Sequence, residues 1–315
     1  HHEGPADPRM MRFCTILANA GFVIGSPFIP DLVALKLTEA AVEETIRTID
    51  YFLDRPEVPS GLRPGLVCIS TASILGAYAV SDPRLRDRLG GLLFFGGFAD
   101  WSRSLRFMMT GRLPDGSRMK PDPANQPVVF LNLARYLPGA PEDVSALCLH
   151  WRRLILATWE KPEKLEEARY LEEARTLSHS ADPEWRELFE VGTTLRPGGM
   201  ELLEKALARW EGEHGRWLDP GPRLREANCP ISIVHGREDR VIPWSEAAEL
   251  ERLVPKRLHV GTWVTGFYDH TGHGGLLGMV TRLPRLPLEV WRSMCIIRAF
   301  VRVARGGYQR ARKPA

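Results

Sequence analysis

LVCISTASILGAYA, residues 66–79, holds the transition on which the fold turns. Gly65-Leu66-Val67-Cys68-Ile69 is a continuous apolar run, the composition of a strand buried on both faces of a parallel sheet. A helix rich in small residues follows directly, from Thr71 to Val80, and Ser70 stands at the junction. A serine on such a tight turn is a candidate nucleophile. Its neighbours two before and two after must be small, because strand and helix backbones pass close together there. Here they are Cys68 and Ala72. Ser73 competes for the role, but Leu75 would occupy its second small position. A plain junction with Ser70 as a helix cap has the same local pattern.

Outward from this segment, the order of elements supports a layered α/β fold. Ser81-Asp82-Pro83 ends the helix, a surface helix follows, and Leu92-Leu93-Phe94-Phe95 reads as another buried strand. Upstream, residues 9–21 have helical spacing, with Phe13, Ile16 and Leu17 on one side and Gly21 closing the helix. Phe22-Val23-Ile24 reads as a strand, and residues 38–52 as an amphipathic helix. Strand and helix alternate, which argues for a doubly wound, mostly parallel sheet. From 98 to 220 strand signals are poor and charged helical segments dominate, so this block reads as an inserted helical cap between core segments 1–97 and 221–315. Within it, residues 162–176 read as a solvated helix face. The α/β pattern resumes with Ile231-Ser232-Ile233-Val234 as a strand. A helix capped by Ser245 follows, then Arg257–Val260 as a last strand and Leu288–Val303 as a closing helix.

The composition narrows the function classes. With 44% hydrophobic and 26% charged residues, the chain reads as an ordinary soluble globular protein. A net charge of +3 is too small to argue for nucleic acid, and no nucleic-acid motif is present. The apolar runs are too short for a membrane span, and the start of the chain has no signal-peptide pattern. The basic tail, Arg302 to Lys313, reads as the end of the last helix plus a solubilising segment. Cys14, Cys68, Cys148, Cys229 and Cys295 are scattered, which favours reduced thiols and a cytoplasmic location.

Two further segments carry chemistry. Asp239 follows a strand and a His-Gly turn, in His235-Gly236-Arg237-Glu238-Asp239. A carboxylate there can accept the proton of an imidazole and fix its tautomer. Adjacent Glu238 is expected to face solvent, and a plain turn role for Asp239 stays open. His270 lies in Phe267-Tyr268-Asp269-His270-Thr271-Gly272-His273, after the last strand. The chain order serine, acid, histidine is that of a strand-to-helix nucleophile turn. His273 is a rival base and Asp269 a rival partner. Asp269, His270 and His273 have the spacing of a metal pair, but no compact third histidine is evident.

Taken together, these three segments resemble the α/β-hydrolase superfamily, and within it bacterial serine esterases and peptidase-like hydrolases with a helical cap. LVCISTASILGAYA resembles the nucleophile strand and helix. PISIVHGREDRVIPWSEAAEL, residues 230–250, resembles the acid loop and is the most specific match. FYDHTG, residues 267–272, resembles the histidine loop. The resemblance implies Ser70 as nucleophile, Asp239 as acid and His270 as base. It also implies the Thr71 N–H as one oxyanion donor, with the second in a first loop, within His1–Gly4 or upstream. Its family usually has glycine where this chain has Cys68 and Ala72, so crowding at the nucleophile turn is expected. The implied activity is hydrolysis of small carboxylic esters, with no metal or organic cofactor. The alternatives are a non-catalytic binding protein of this fold and an amide- or peptide-cleaving serine hydrolase. Serine at the turn argues against dehalogenase chemistry. An exposed hydrophobic edge or helix could also pair two copies into a homodimer.

Overall fold

The computed structural model describes residues 3–58, 61–158, 167–214, 217–266 and 286–304. Among them, β1 (Gly65–Ile69), β2 (Gly91–Phe95), β3 (Ile231–Gly236) and β4 (His259–Thr265) form one sheet in that order. All three pairings are parallel, so every strand ends at the same edge.

Helices α1 (Pro8–Asn19), α2 (Pro30–Val33) and α3 (Glu39–Leu53) precede the sheet, and α4 (Ala72–Ser81) joins β1 to β2. Between β2 and β3 the chain forms α5 (Trp101–Thr110), α6 (Asn125–Leu133), α7 (Ser145–Thr158), α8 (Glu167–His179), α9 (Arg186–Gly192), α10 (Gly199–His214) and α11 (Pro220–Glu226). Then α12 (Glu246–Leu253) joins β3 to β4, and α13 (Leu286–Ala304) closes the described chain.

Strand alternation sorts the side chains into two layers. Leu92, Phe94, Ile231 and Ile233 pack with Ile46 and Ile49 of α3, Ala77 of α4, Leu224 of α11 and Leu250 of α12. Leu93 and Val234 face the other way, against Val303, Ile296 and Phe300 of α13. Helices therefore cover both faces, as the continuous apolar strands require. Helix α4 is apolar all round and nearly wholly buried, the pattern of a helix enclosed on every side. This mostly parallel, helix-flanked sheet with a helical insertion is consistent with the α/β-hydrolase fold.

The inserted helices have their own core around Trp151, Phe130 and Phe189. That core continues into Ile74 and Leu75 of α4 and into Val241 and Ile242 beyond β3. The insertion thus packs onto the two segments that follow Ser70 and Asp239.

Several local expectations need correction. Phe22-Val23-Ile24 is not a strand. Phe22 instead stacks edge-on against Phe300 at 6.4 Å between ring centroids, and Val23 is exposed. The spacing of α1 is helical, and its end at Ala20, with Gly21 in the left-handed region, is as expected. However, α1 buries none of its residues, and Phe13 only leans on Phe300. The surface helix after Pro83 is a set of turns that plugs Leu85 and Leu89 into the core. The last strand starts later than Arg257, because Pro255 to Leu258 form a turn, with Leu258 N–H donating to the Pro255 carbonyl at 2.8 Å. Ser245 sits at the cap position of α12, but its hydroxyl makes no capping bond.

Candidate active site

Ser70 follows the last residue of β1, and its backbone is left-handed at φ +57°. For a residue with a side chain, that conformation costs about 1–2 kcal/mol. Two hydrogen bonds hold it in place. Ser70 N–H donates to the Phe95 carbonyl on β2 at 2.9 Å, and the Ser70 carbonyl accepts from Ser73 N–H at 3.0 Å. The cap position of α4 belongs to Thr71, and no side-chain bond caps the helix. Ser70 therefore does not act as a helix cap. The rival Ser73 is buried, and its hydroxyl accepts from Phe98 N–H at 3.4 Å. Thr71 N–H opens the first turn of α4 and has no acceptor among the described residues.

The expected crowding from Cys68 is relieved on the helix. Cys68 is buried, and its sulfur lies where a side chain on Gly76 would begin. A Cβ added to Gly76 would sit 2.4 Å from Cys68 Sγ. The glycine absent from the strand is compensated by one on α4. Ala72, half-buried, packs beside the same cluster. Burial pushes the Cys68 thiol up to about 12, so it is a packing group rather than a thiolate.

Asp239 lies three residues beyond β3 and is fully buried. Its Oδ1 accepts from Val241 N–H at 2.8 Å and Ile242 N–H at 2.9 Å. Those bonds spend Oδ1 on the loop itself and turn Oδ2 toward other partners. Among them is His235, whose Nε2 lies 3.5 Å from Asp239 Oδ2 and 3.0 Å from the Ile242 carbonyl. From the inserted helices, Asn125 Nδ2 donates to the Arg240 carbonyl at 3.1 Å. The loop that carries Asp239 is thus held by His235 of β3 and Asn125 of α6.

The parallel sheet brings Ser70, Thr71 and Asp239 to one edge. With strands about 4.8 Å apart, the ends of β1 and β3 lie roughly 10 Å from each other. His270, its rival His273 and Asp269 lie outside the described residues, as do Glu163 to Glu166 of the charged cap segment and the tail from Arg305. The chain leaves β4 toward His270 under restraint. Glu289 of α13 accepts from the Thr265 hydroxyl at 2.8 Å, Gly266 N–H at 3.0 Å and Arg292 at 2.7 Å. Burial opposes its ionisation, but those three donors together hold its carboxyl below the usual carboxylate value.

A fourth anchor holds the turn after β2. The buried Glu246 carboxylate accepts from Ala99 N–H and Asp100 N–H, both at 2.9 Å, and pairs with the Arg103 guanidinium. Sequence reading missed His235, Asn125, Glu246 and Glu289 as members of this region. A histidine directly before the Gly236 turn was the one available signal. The other three act across long sequence separations and left none. The five cysteines form no disulfide, and Cys68, Cys148 and Cys229 are buried. No group of metal-ligating side chains occurs among the described residues. No helix among them is long and apolar enough to cross a membrane.

No family model matches this chain, and no curated protein matches it. Solved structures do. A serine hydrolase from the polyaromatic-hydrocarbon-degrading bacterium Cycloclasticus zankles is 14% identical, covering 79% of this chain and 71% of its own, with a TM-score of 0.35. An alpha/beta fold family hydrolase from Bacillus anthracis is 12% identical, with 77% and 71% covered and a TM-score of 0.33. A bromoperoxidase from Bacillus anthracis is 14% identical, with 84% and 78% covered and a TM-score of 0.33. Likenesses this distant carry nothing about activity.

Proposed function

We propose that this protein is a serine hydrolase that cleaves carboxylic esters through an acyl-enzyme. Ser70 is the nucleophile, His270 the general base and Asp239 the group that orients it. The observation that carries this reading is Ser70 in the left-handed region at φ +57°, at the carboxyl end of β1. Strain of that kind persists only where the surroundings impose it, and it lifts the hydroxyl clear of both strand and helix.

In this reading His270 takes the Ser70 proton as Oγ attacks the ester carbonyl. The C–O bond to the alcohol breaks, and His270 returns the proton to the leaving oxygen. Water then attacks the acyl-enzyme with His270 as base and releases the acid. The Thr71 N–H stabilises the oxyanion at the start of α4, where the helix dipole adds to it. Asp239, fixed by two backbone N–H groups, holds the imidazole in one tautomer. In this reading the chain divides into a core of 1–97 and 221–315 and a cap of 98–220, and an apolar pocket under the cap would favour uncharged acyl groups.

Hydrolysis of p-nitrophenyl acetate and butyrate, beside the matching anilides, tests the reading. Esters are expected to turn over faster than anilides, and Ser70→Ala to lose about three orders of magnitude or more in kcat. Activity retained in folded Ser70→Ala contradicts it. Inactivity of the folded wild-type chain favours the non-catalytic binding protein that Cys68 and Ala72 suggest.

A further inference from the structure

The geometry points to His235 as a positioning residue for the acid of the proposed triad, an inference that rests on the hydrolase reading above. His235 is on β3, opposite Val264 of β4, and is wholly buried. Its Nε2 lies 3.0 Å from the Ile242 carbonyl, which can only accept, so the ring hydrogen is on Nε2. The same Nε2–H lies 3.5 Å from Asp239 Oδ2, too long for a full bond but close enough to orient the oxygen. The other nitrogen, Nδ1, is buried and has no hydrogen-bond partner among the described residues. An unsatisfied buried nitrogen carries a cost that an apolar side chain of this volume would avoid. What His235 supplies in return is one N–H at one place.

That place closes a small ring of contacts. Asp239 Oδ1 holds the Val241 and Ile242 amides, and His235 holds the Ile242 carbonyl beside Oδ2. The carboxylate therefore cannot rotate without breaking both bonds to Oδ1 and losing the contact at Oδ2. Its Oδ2 is presented in one direction, with a donor against its flank. His235 touches no reacting atom. It acts through Asp239, by fixing where the imidazole of His270 finds its partner.

A glutamine at 235 can place an amide N–H near the position of Nε2, whereas an asparagine is one methylene too short to reach the Ile242 carbonyl. Both shrink the packing and both are polar. The test is the second-order rate of labelling by a fluorophosphonate probe, normalised to folded protein by circular dichroism, for wild type, H235Q, H235N and S70A. The expected result is H235N at least tenfold slower than wild type and H235Q within about threefold of it, with S70A unlabelled. H235N and H235Q both at the wild-type rate would overturn the role of His235 and leave Ser70 in place. Equal slowing in both would overturn it too, because the N–H position would not matter. A wild-type protein that is folded yet unlabelled removes the hydrolase reading, and the inference with it.

Discussion

At Ser70 a single backbone angle separates two fates of the same sequence. A serine that merely ends a strand and caps a helix has no reason to be left-handed, and its hydroxyl would be spent on the helix. At φ +57° it is strained, and the capping position has passed to Thr71. Ser70→Gly should therefore raise stability by about 1 kcal/mol in chemical denaturation while abolishing ester hydrolysis. A loss of stability would mean that the side chain contributes packing that the strain argument ignores. Cys68 offers a chemical check on its neighbour. With burial holding its thiol at about 12, iodoacetamide at neutral pH should leave Cys68 unmodified in the folded protein, as read by peptide mass spectrometry. The positions of Ser70 and Asp239 were legible because each comes close after a strand rich in apolar residues, β1 half-buried and β3 buried. The work of His235 was not, because it depends on the Ile242 carbonyl folding back seven residues later.

Between elements, β1 and α4 approach closely beneath Ser70, at Cys68 and Gly76. Gly76→Ala should destabilise by about 1–3 kcal/mol, since its methyl would collide with Cys68 Sγ. Adding Cys68→Ala should recover most of that loss, giving a coupling energy in a double-mutant cycle. Strictly additive losses would place the clash elsewhere. At the far end of the sheet, Glu289 ties α13 to the exit of β4. Its folded carboxyl is held below the usual 4.5, so its contribution is full above that value and fades as pH falls through the lower folded value. The stability gap between wild type and Glu289→Gln should accordingly be constant above about pH 5 and shrink at more acid pH. A gap that widens on acidification would reverse the sign. The strands β1 and β2 could be read from composition as continuous apolar runs, and β3 from the apolar residues around Ser232. Phe22-Val23-Ile24 gave the same signal and failed. Its aromatic ring packs against Phe300 of α13, and among the described residues no strand pairs with it.

Over the whole molecule, the hydrophobic core of the inserted helices is continuous with α4 and with Val241 and Ile242 beyond β3. Insertion and sheet should then unfold together, in one transition seen alike by far-ultraviolet dichroism and by tryptophan fluorescence. Trp151, fully buried at the centre of that core, should cost about 3–5 kcal/mol when replaced by alanine and should lower the single midpoint. Two separated transitions would show that the helical region is only loosely seated. The layered α/β character and the helical insertion were legible in the order of elements. How the insertion rests on the segments after Ser70 and Asp239 was not, because it is set by side chains such as Asn125 and Ile74 that look ordinary in sequence. The proposal that these segments serve one reaction is tested most directly by covalent capture. After brief exposure of the native protein to a fluorophosphonate, one adduct per chain is expected, mapped by tandem mass spectrometry to Ser70. No adduct on folded protein, or an adduct on any other residue, would contradict the account.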